Sequence, residues 1–412
     1  MVLGTSRGYE TLTHKAFMRS MVILADVLLL IPSIWYAVQV FYKESAYAHS
    51  KIIPFLALAA QPGLLLIDHG HFQFNNISLG LSLLAVALIM DDHDLLGAMC
   101  FSFSLNYKQM SLYYAPAMFF FLLSKAFRFG LFSLSSYTYL AKLGITVIAS
   151  FALCWLPFLI QENPIEQVQQ LLSRIFPVSR GLYEDKVANF WCSISPVFKL
   201  QLYASHSNMV KICLVFTVVG ILPASLALIR AFRNRSPSRS IQSYFGTQNV
   251  LLLGLTCTAW SFFFFSFHVH EKSVLLPIFM MSLWILKSPT LVTLANTVST
   301  FSMLPLLQRD GHEYSLIALL LLYVVWSKWT FRSDISLSQI ILGNMGPLLC
   351  YLASKFIQPP PSLPDLWALL LTSSSFAVLF GCFAALHLQL YFLDAFGGFE
   401  TNTSYSTKLK EE

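Results

Sequence analysis

Charge is what this sequence has least of. Asp, Glu, Lys and Arg make up 11% of its 412 residues, against about 25% in soluble domains. An ordinary soluble fold is thereby excluded. Neither a GxGxxG turn nor a GxxxxGK[ST] loop occurs, which excludes the usual nucleotide-binding domains. Seven cysteines are present, an odd number with no CxxC pair. Six of them (Cys100, Cys154, Cys213, Cys257, Cys350 and Cys382) sit in apolar runs and read as small buried hydrophobes. No zinc-type cluster occurs, and no nucleic-acid partner is expected. The N-terminal "MVLGTSRGYETLTHKAF" has no long apolar core before Met18, so it does not read as a signal peptide.

Apolar residues fill the space. They make up 56% of the chain, with 36 phenylalanines and a mean hydropathy of +0.64. The runs are continuous rather than alternating, which predicts an all-α, multi-spanning membrane protein and not an outer-membrane barrel. Polar breaks bound thirteen candidate spans, at 18–41, 52–68, 77–90, 95–107, 110–124, 138–160, 209–231, 248–268, 274–286, 291–307, 314–329, 338–356 and 365–393. The 77–90 and 95–107 runs are also compatible with one re-entrant pair. Together they form one polytopic domain over residues 1–412. It carries a large loop at 161–201, a basic loop at 230–247 and a tail at 394–412.

Orientation follows from lysine and arginine. "RAFRNRSPSR" holds four arginines and no acid; "SKAFRF" adds Lys125 and Arg128, and "SKWTFR" adds Lys328 and Arg332. With thirteen spans these loops share one side, read as cytosolic. By this map 14 Lys and Arg lie there and 12 opposite, where they are mixed with acids. The N-terminus is then luminal and the C-terminus cytosolic. "TKLKEE" puts Lys408 and Lys410 in the pattern of a dilysine signal for retrieval to the endoplasmic reticulum. None of the sequons at Asn76, Asn234 and Asn402 is expected to carry a glycan.

Four polar stretches fall on the luminal side: "LIDHGHFQFN" (66–75), "NYKQM" (106–110), the loop 161–201, and "FHVHEKS" (267–273). Ionisable groups at membrane depth are costly and mark function by default. The candidates for binding substrate are His69, His71, Gln73, Lys108, Arg180, Glu184, Asp185, Lys186, Asn189, Trp191, His268, His270, Glu271 and Lys272. Arginine forks and lysines suit phosphate oxygens, carboxylates and Asn suit sugar hydroxyls, and Trp suits a sugar face. Salt-bridged loops and capped helix ends would use the same residues. The HxHE spacing is a weak metal signal. "DDHD" (91–94) is polar too, but isolated and without a basic partner. Asn163 and Pro164 open a short helix whose Ile165, Val168, Leu172 and Ile175 share a face; it lies on the membrane surface or packs on protein.

In that order, "HFQFN", "NYKQM", "FPVSRGLYEDKVANFW" and "VHEKS" resemble the dolichyl-phosphate-glucose-dependent glucosyltransferases of N-glycan assembly, over essentially the whole chain. The resemblance implies a GT-C fold in the endoplasmic reticulum membrane. It implies inverting glucose transfer in the lumen, from dolichyl-phosphate-glucose to a dolichol-linked oligosaccharide, without cofactor or metal. "EDKVANFW" resembles the branch that adds the first glucose, in α-1,3 linkage, to Man9GlcNAc2. By residue type Arg180, Lys186, His270 and Lys272 would meet the donor phosphate. The family also carries an earlier span and a luminal loop with the catalytic aspartate and "YPP". By this resemblance the chain is expected to begin, at "TSRGYE", inside that loop. The base is therefore expected upstream, and the 412-residue chain alone is expected to be inactive. The alternatives are the second-glucose enzyme, a transporter with a proton relay, and a non-catalytic membrane subunit. Nothing in the sequence fixes the oligomeric state.

Overall fold

The computed structural model describes residues 11–43, 49–128, 130–175, 186–196, 198–232 and 241–396. Every regular element among them is a helix. Among the described residues nine helices are long and apolar enough to cross a bilayer: Leu12–Phe41, Ser50–His71, Gln109–Phe127, Leu134–Leu159, His206–Arg230, Gly246–Phe265, Glu313–Asp334, Leu337–Phe356 and Leu366–Leu393. The sequence predicts thirteen crossings, so four segments fall short of the roughly 20 residues needed. Asn75–Met90 has 16 residues and Asp94–Tyr107 has 14, pinned between polar turns. Leu275–Ser282 follows a 3-10 turn, and Pro289–Ser302 is separated by Met303 from Leu304–Arg309.

Burial sorts the bundle. Of the apolar window in Gly246–Phe265, 83% is enclosed, which makes this helix the axis; in Leu134–Leu159 only 11% is, so that helix faces lipid. The short helices lie among the long ones. Every residue of Leu275–Ser282 is buried. Gly97 lets Asp94–Tyr107 close on Asn75–Met90: a Cβ there would stand 2.6 Å from Ile89 Cγ1 and 2.9 Å from the Ala85 carbonyl oxygen. Prolines 157, 223 and 347 lie inside helices, tolerable where neighbouring helices satisfy the freed carbonyls.

Side-chain bonds show which turns meet. At one end, Trp155 donates to Asn106 (2.7 Å), Trp191 to the Phe265 carbonyl (2.8 Å), and His71 pairs with Asp310 (2.6 Å). At the other, Ser124 donates to the Ile229 carbonyl, Ser336 N–H to Thr290, and Trp284 to Gln389. "DDHD" lies at this second end and does have basic partners. Lys125 pairs with Asp94 (2.7 Å) and Asp92 (2.9 Å), and Lys43 approaches Asp91 (3.8 Å). Lys125 is buried. It is half of a structural pair, not the unpaired orientation charge that its sequence context suggests.

The first end is recessed. Asn75–Met90 is about 24 Å long, short of an apolar slab about 30 Å thick. Leu134–Leu159 runs past both ends of Asp94–Tyr107, bonded through Tyr139 to Asp94 (2.7 Å) and Trp155 to Asn106. The polar residues that open and close the short helices therefore sit below the ends of their longer neighbours.

Candidate functional site

Two π-helical turns build the floor of this recess, Asp26–Leu30 and Leu66–His71. Such turns widen a helix by one residue and recur at functional sites. Each carries an acid. Asp26 pairs with His69 Nε2 (2.8 Å) and accepts from Asn76 Nδ2 (2.8 Å). Asp68, 1% exposed, accepts from Asn75 Nδ2 and from the Asn76 backbone N–H, both at 2.7 Å. Its charge thus meets the open N-terminus of Asn75–Met90, where the helix dipole favours an anion. A small cavity between the turns is lined by Asp26, Asp68 and His69. The sequon residue Asn76 is fully buried, its side chain spent on Asp26 and the Val22 carbonyl.

Beside this floor lies a cationic cavity. Asn75, Ser78, Met110 and two lysines, Lys108 and Lys272, line it. The Lys108 ammonium donates to Asn75 Oδ1 and to Gln73 Oε1 (3.3 Å), both neutral acceptors. Lys108 stands just outside the spans, where Asp94–Tyr107 ends. Burial, with a smaller push from Lys272 and an opposing pull from Asp68, brings its pKa down to about 8. Both lysines line this cavity, and the positive charge of Lys272 opposes that of Lys108.

The other sequence candidates divide. His71 is held by Asp310, and Glu271, 6% exposed, faces Arg309 (3.7 Å). His268 and His270 meet edge to face at 4.7 Å. These line the same end as Lys108 and Lys272. Lys186 pairs with Asp365 on the neighbouring loop. Asn189 caps its helix by accepting from the Cys192 N–H (2.9 Å). Trp191, 1% exposed, packs with Phe190 and Phe216 and gives its indole N–H to Phe265. Asn189 and Trp191 therefore work inside the fold. Arg180, Glu184 and Asp185, the sequons at Asn234 and Asn402, and Lys408 and Lys410 lie outside the described residues. No three His, Cys, Asp or Glu side chains converge as metal ligands among the described residues. Asp26 is absent from the sequence candidates, although one acid inside an otherwise apolar run was a readable signal.

Fold and cavity define a multi-spanning membrane protein with a recessed, polar, cation-bearing working face. Comparison with known sequences narrows that class. The ALG6, ALG8 glycosyltransferase family matches over residues 1–386. A Dictyostelium discoideum protein named probable dolichyl pyrophosphate Man9GlcNAc2 alpha-1,3-glucosyltransferase is 42% identical over 407 residues, covering 91% of this chain and 75% of its own. The Gallus gallus protein of that name, without the qualifier, is 38% identical over 432 residues, covering 95% and 78%. The Saccharomyces cerevisiae protein is 32% identical, covering 95% and 75%. This chain belongs to the ALG6, ALG8 glycosyltransferase family. It is a polytopic membrane glucosyltransferase of the GT-C type.

Proposed function

We propose that the chain serves transfer of glucose from dolichyl-phosphate-glucose to dolichol-linked Man9GlcNAc2, in α-1,3 linkage and with inversion, on the luminal face of the endoplasmic reticulum membrane. The observation that carries the reading is the convergence of Lys108 and Lys272 on one recessed cavity. A phosphodiester anchored in the bilayer presents one negative charge near the membrane surface. A recessed pair of ammonium groups answers that charge and depth. Relatives named for action on Man9GlcNAc2 support the acceptor.

In the reaction, a mannose hydroxyl oxygen attacks the anomeric carbon. The new glycosidic bond forms as the bond from that carbon to the phosphate oxygen breaks. Dolichyl phosphate leaves with the electron pair, and the hydroxyl proton passes to a base. Lys108 and Lys272 would stabilise the charge gathering on the leaving phosphate. Asn75 and Gln73 hold Lys108 in place. His268 and His270 precede Lys272 by four and two residues and meet edge to face. No residue of this chain is assigned as the base.

The choice between first and second glucose rests on acceptor use. Membranes carrying the chain with donor are offered dolichol-linked Man9GlcNAc2 and its monoglucosylated form. Donor-dependent glucosylation of the first alone supports the reading. Use of the second alone would overturn it in favour of the sister reaction.

A further inference from the structure

We propose that Asp68 is a positioning residue for the cationic cavity: through the amide of Asn75 it fixes where the Lys108 ammonium stands. This rests on the reading of that cavity as the donor-phosphate site. The logic is one of donors and acceptors. Each Asp68 oxygen accepts an N–H, one from Asn75 Nδ2 and one from the Asn76 backbone. The Lys108 ammonium, for its part, can only donate. Asn75 must therefore turn its NH2 toward Asp68, which leaves its oxygen facing Lys108, and the ammonium donates to that oxygen. With the amide reversed, NH2 would face NH3+ and the lysine would be driven from the cavity.

The relay is anchored at both ends. Asp68 is 1% and Asn75 5% exposed, so water does not substitute for either partner. The other π turn, Asp26–Leu30, braces the same helix end, because Asp26 holds both the side chain of Asn76 and the ring of His69. Among the described residues Asp68 and Lys272 are the charged groups that act on Lys108, and Tyr107 precedes it in the chain. They pull in opposite directions. The Asp68 carboxylate favours the ammonium, and Lys272 opposes it.

The test uses the full chain in lipid nanodiscs and measures affinity for dolichyl-phosphate-glucose from pH 6 to 10. Asp68→Asn removes one acceptor and confronts a donor with a donor. Affinity should fall about tenfold, the scale of a hydrogen bond to a charged group, and its alkaline decline should move to lower pH. A chain that had only lost stability would not move that decline. The double variant Asp68→Asn/Asn75→Asp restores an acceptor toward both Lys108 and the substituted amide. It should recover affinity and return the decline to wild-type pH or above. Should Asp68→Asn not fold, Asn75→Ala keeps the carboxylate but cuts the relay, and must lose affinity equally. An unmoved decline in Asp68→Asn, a double variant as weak as the single, or full affinity in Asn75→Ala overturns the proposal. Lys108→Gln separates the two ideas. If it binds donor as wild type does, the cavity reading itself is wrong; if it binds weakly while Asp68→Asn binds normally, only the positioning role is.

Discussion

Raising the pH should weaken donor binding while strengthening the fold. Lys108 has an ordinary pKa of 10.5, brought down to about 8. Burial is the largest cause, since taking an ammonium out of water disfavours its charged form. A phosphodiester stays anionic throughout this range, so the lysine sets the dependence. If one ammonium is required, affinity is full below about pH 7 and falls about tenfold per unit above about pH 8. Folding runs the other way. Between about 8 and 10.5 the unfolded chain holds a proton on Lys108 that the folded chain has released. Stability therefore rises with pH across that window, and the cost of burying the ammonium is largest below it. Calorimetric titration with dolichyl-phosphate-glucose and thermal unfolding of the same samples follow both trends. Affinity level to pH 10, or affinity and stability falling together, would refute the assignment of Lys108 to the anion.

Three further outcomes test the frame around the cavity. Trp191→Ala removes a fully enclosed indole and should cost about 3–5 kcal/mol, whereas Trp191→Phe loses mainly the bond to Phe265 and should cost about 1 kcal/mol; equal destabilisation in detergent unfolding would contradict the packing described. Lys125→Met leaves the Asp94 carboxylate, 9% exposed, without its cation and with only the Tyr139 hydroxyl as described partner, and should cost about 3–5 kcal/mol with donor affinity unchanged, because the pair lies at the opposite end of the bundle; an altered affinity would place it wrongly. Gly97→Ala should cost about 1–3 kcal/mol by forcing the short helices apart, and a neutral effect on unfolding would deny their close contact.

Much of the helical order was legible because apolar runs end where polar residues begin, so each of the thirteen segments lies at least partly on helix. Their depth was not. Hydropathy reads Asn75–Met90 and Leu134–Leu159 alike, yet one lies among helices and the other faces lipid. Such burial depends on neighbours far away in sequence. The partner of "DDHD" was hidden for the same reason, since Lys125 lies 31 residues beyond Asp94. In the site, "DHGHFQFN" showed its polarity but not its wiring. Asp68 and Asn75 were visible as a crowd, while their relay to Lys108 depends on a π turn that has no sequence signature. Trp191 and Asn189 looked like sugar ligands because a capping Asn and a core Trp are the same residue types. Only geometry separates those uses.

The most direct measurement is a structure of the chain with dolichyl-phosphate-glucose bound in a lipid bilayer. The account predicts the phosphate between Lys108 and Lys272, within hydrogen-bond reach of both Nζ atoms, and the dolichol leaving sideways into the membrane. A phosphate seated at the opposite end of the bundle, or at this end but away from both lysines, would contradict it.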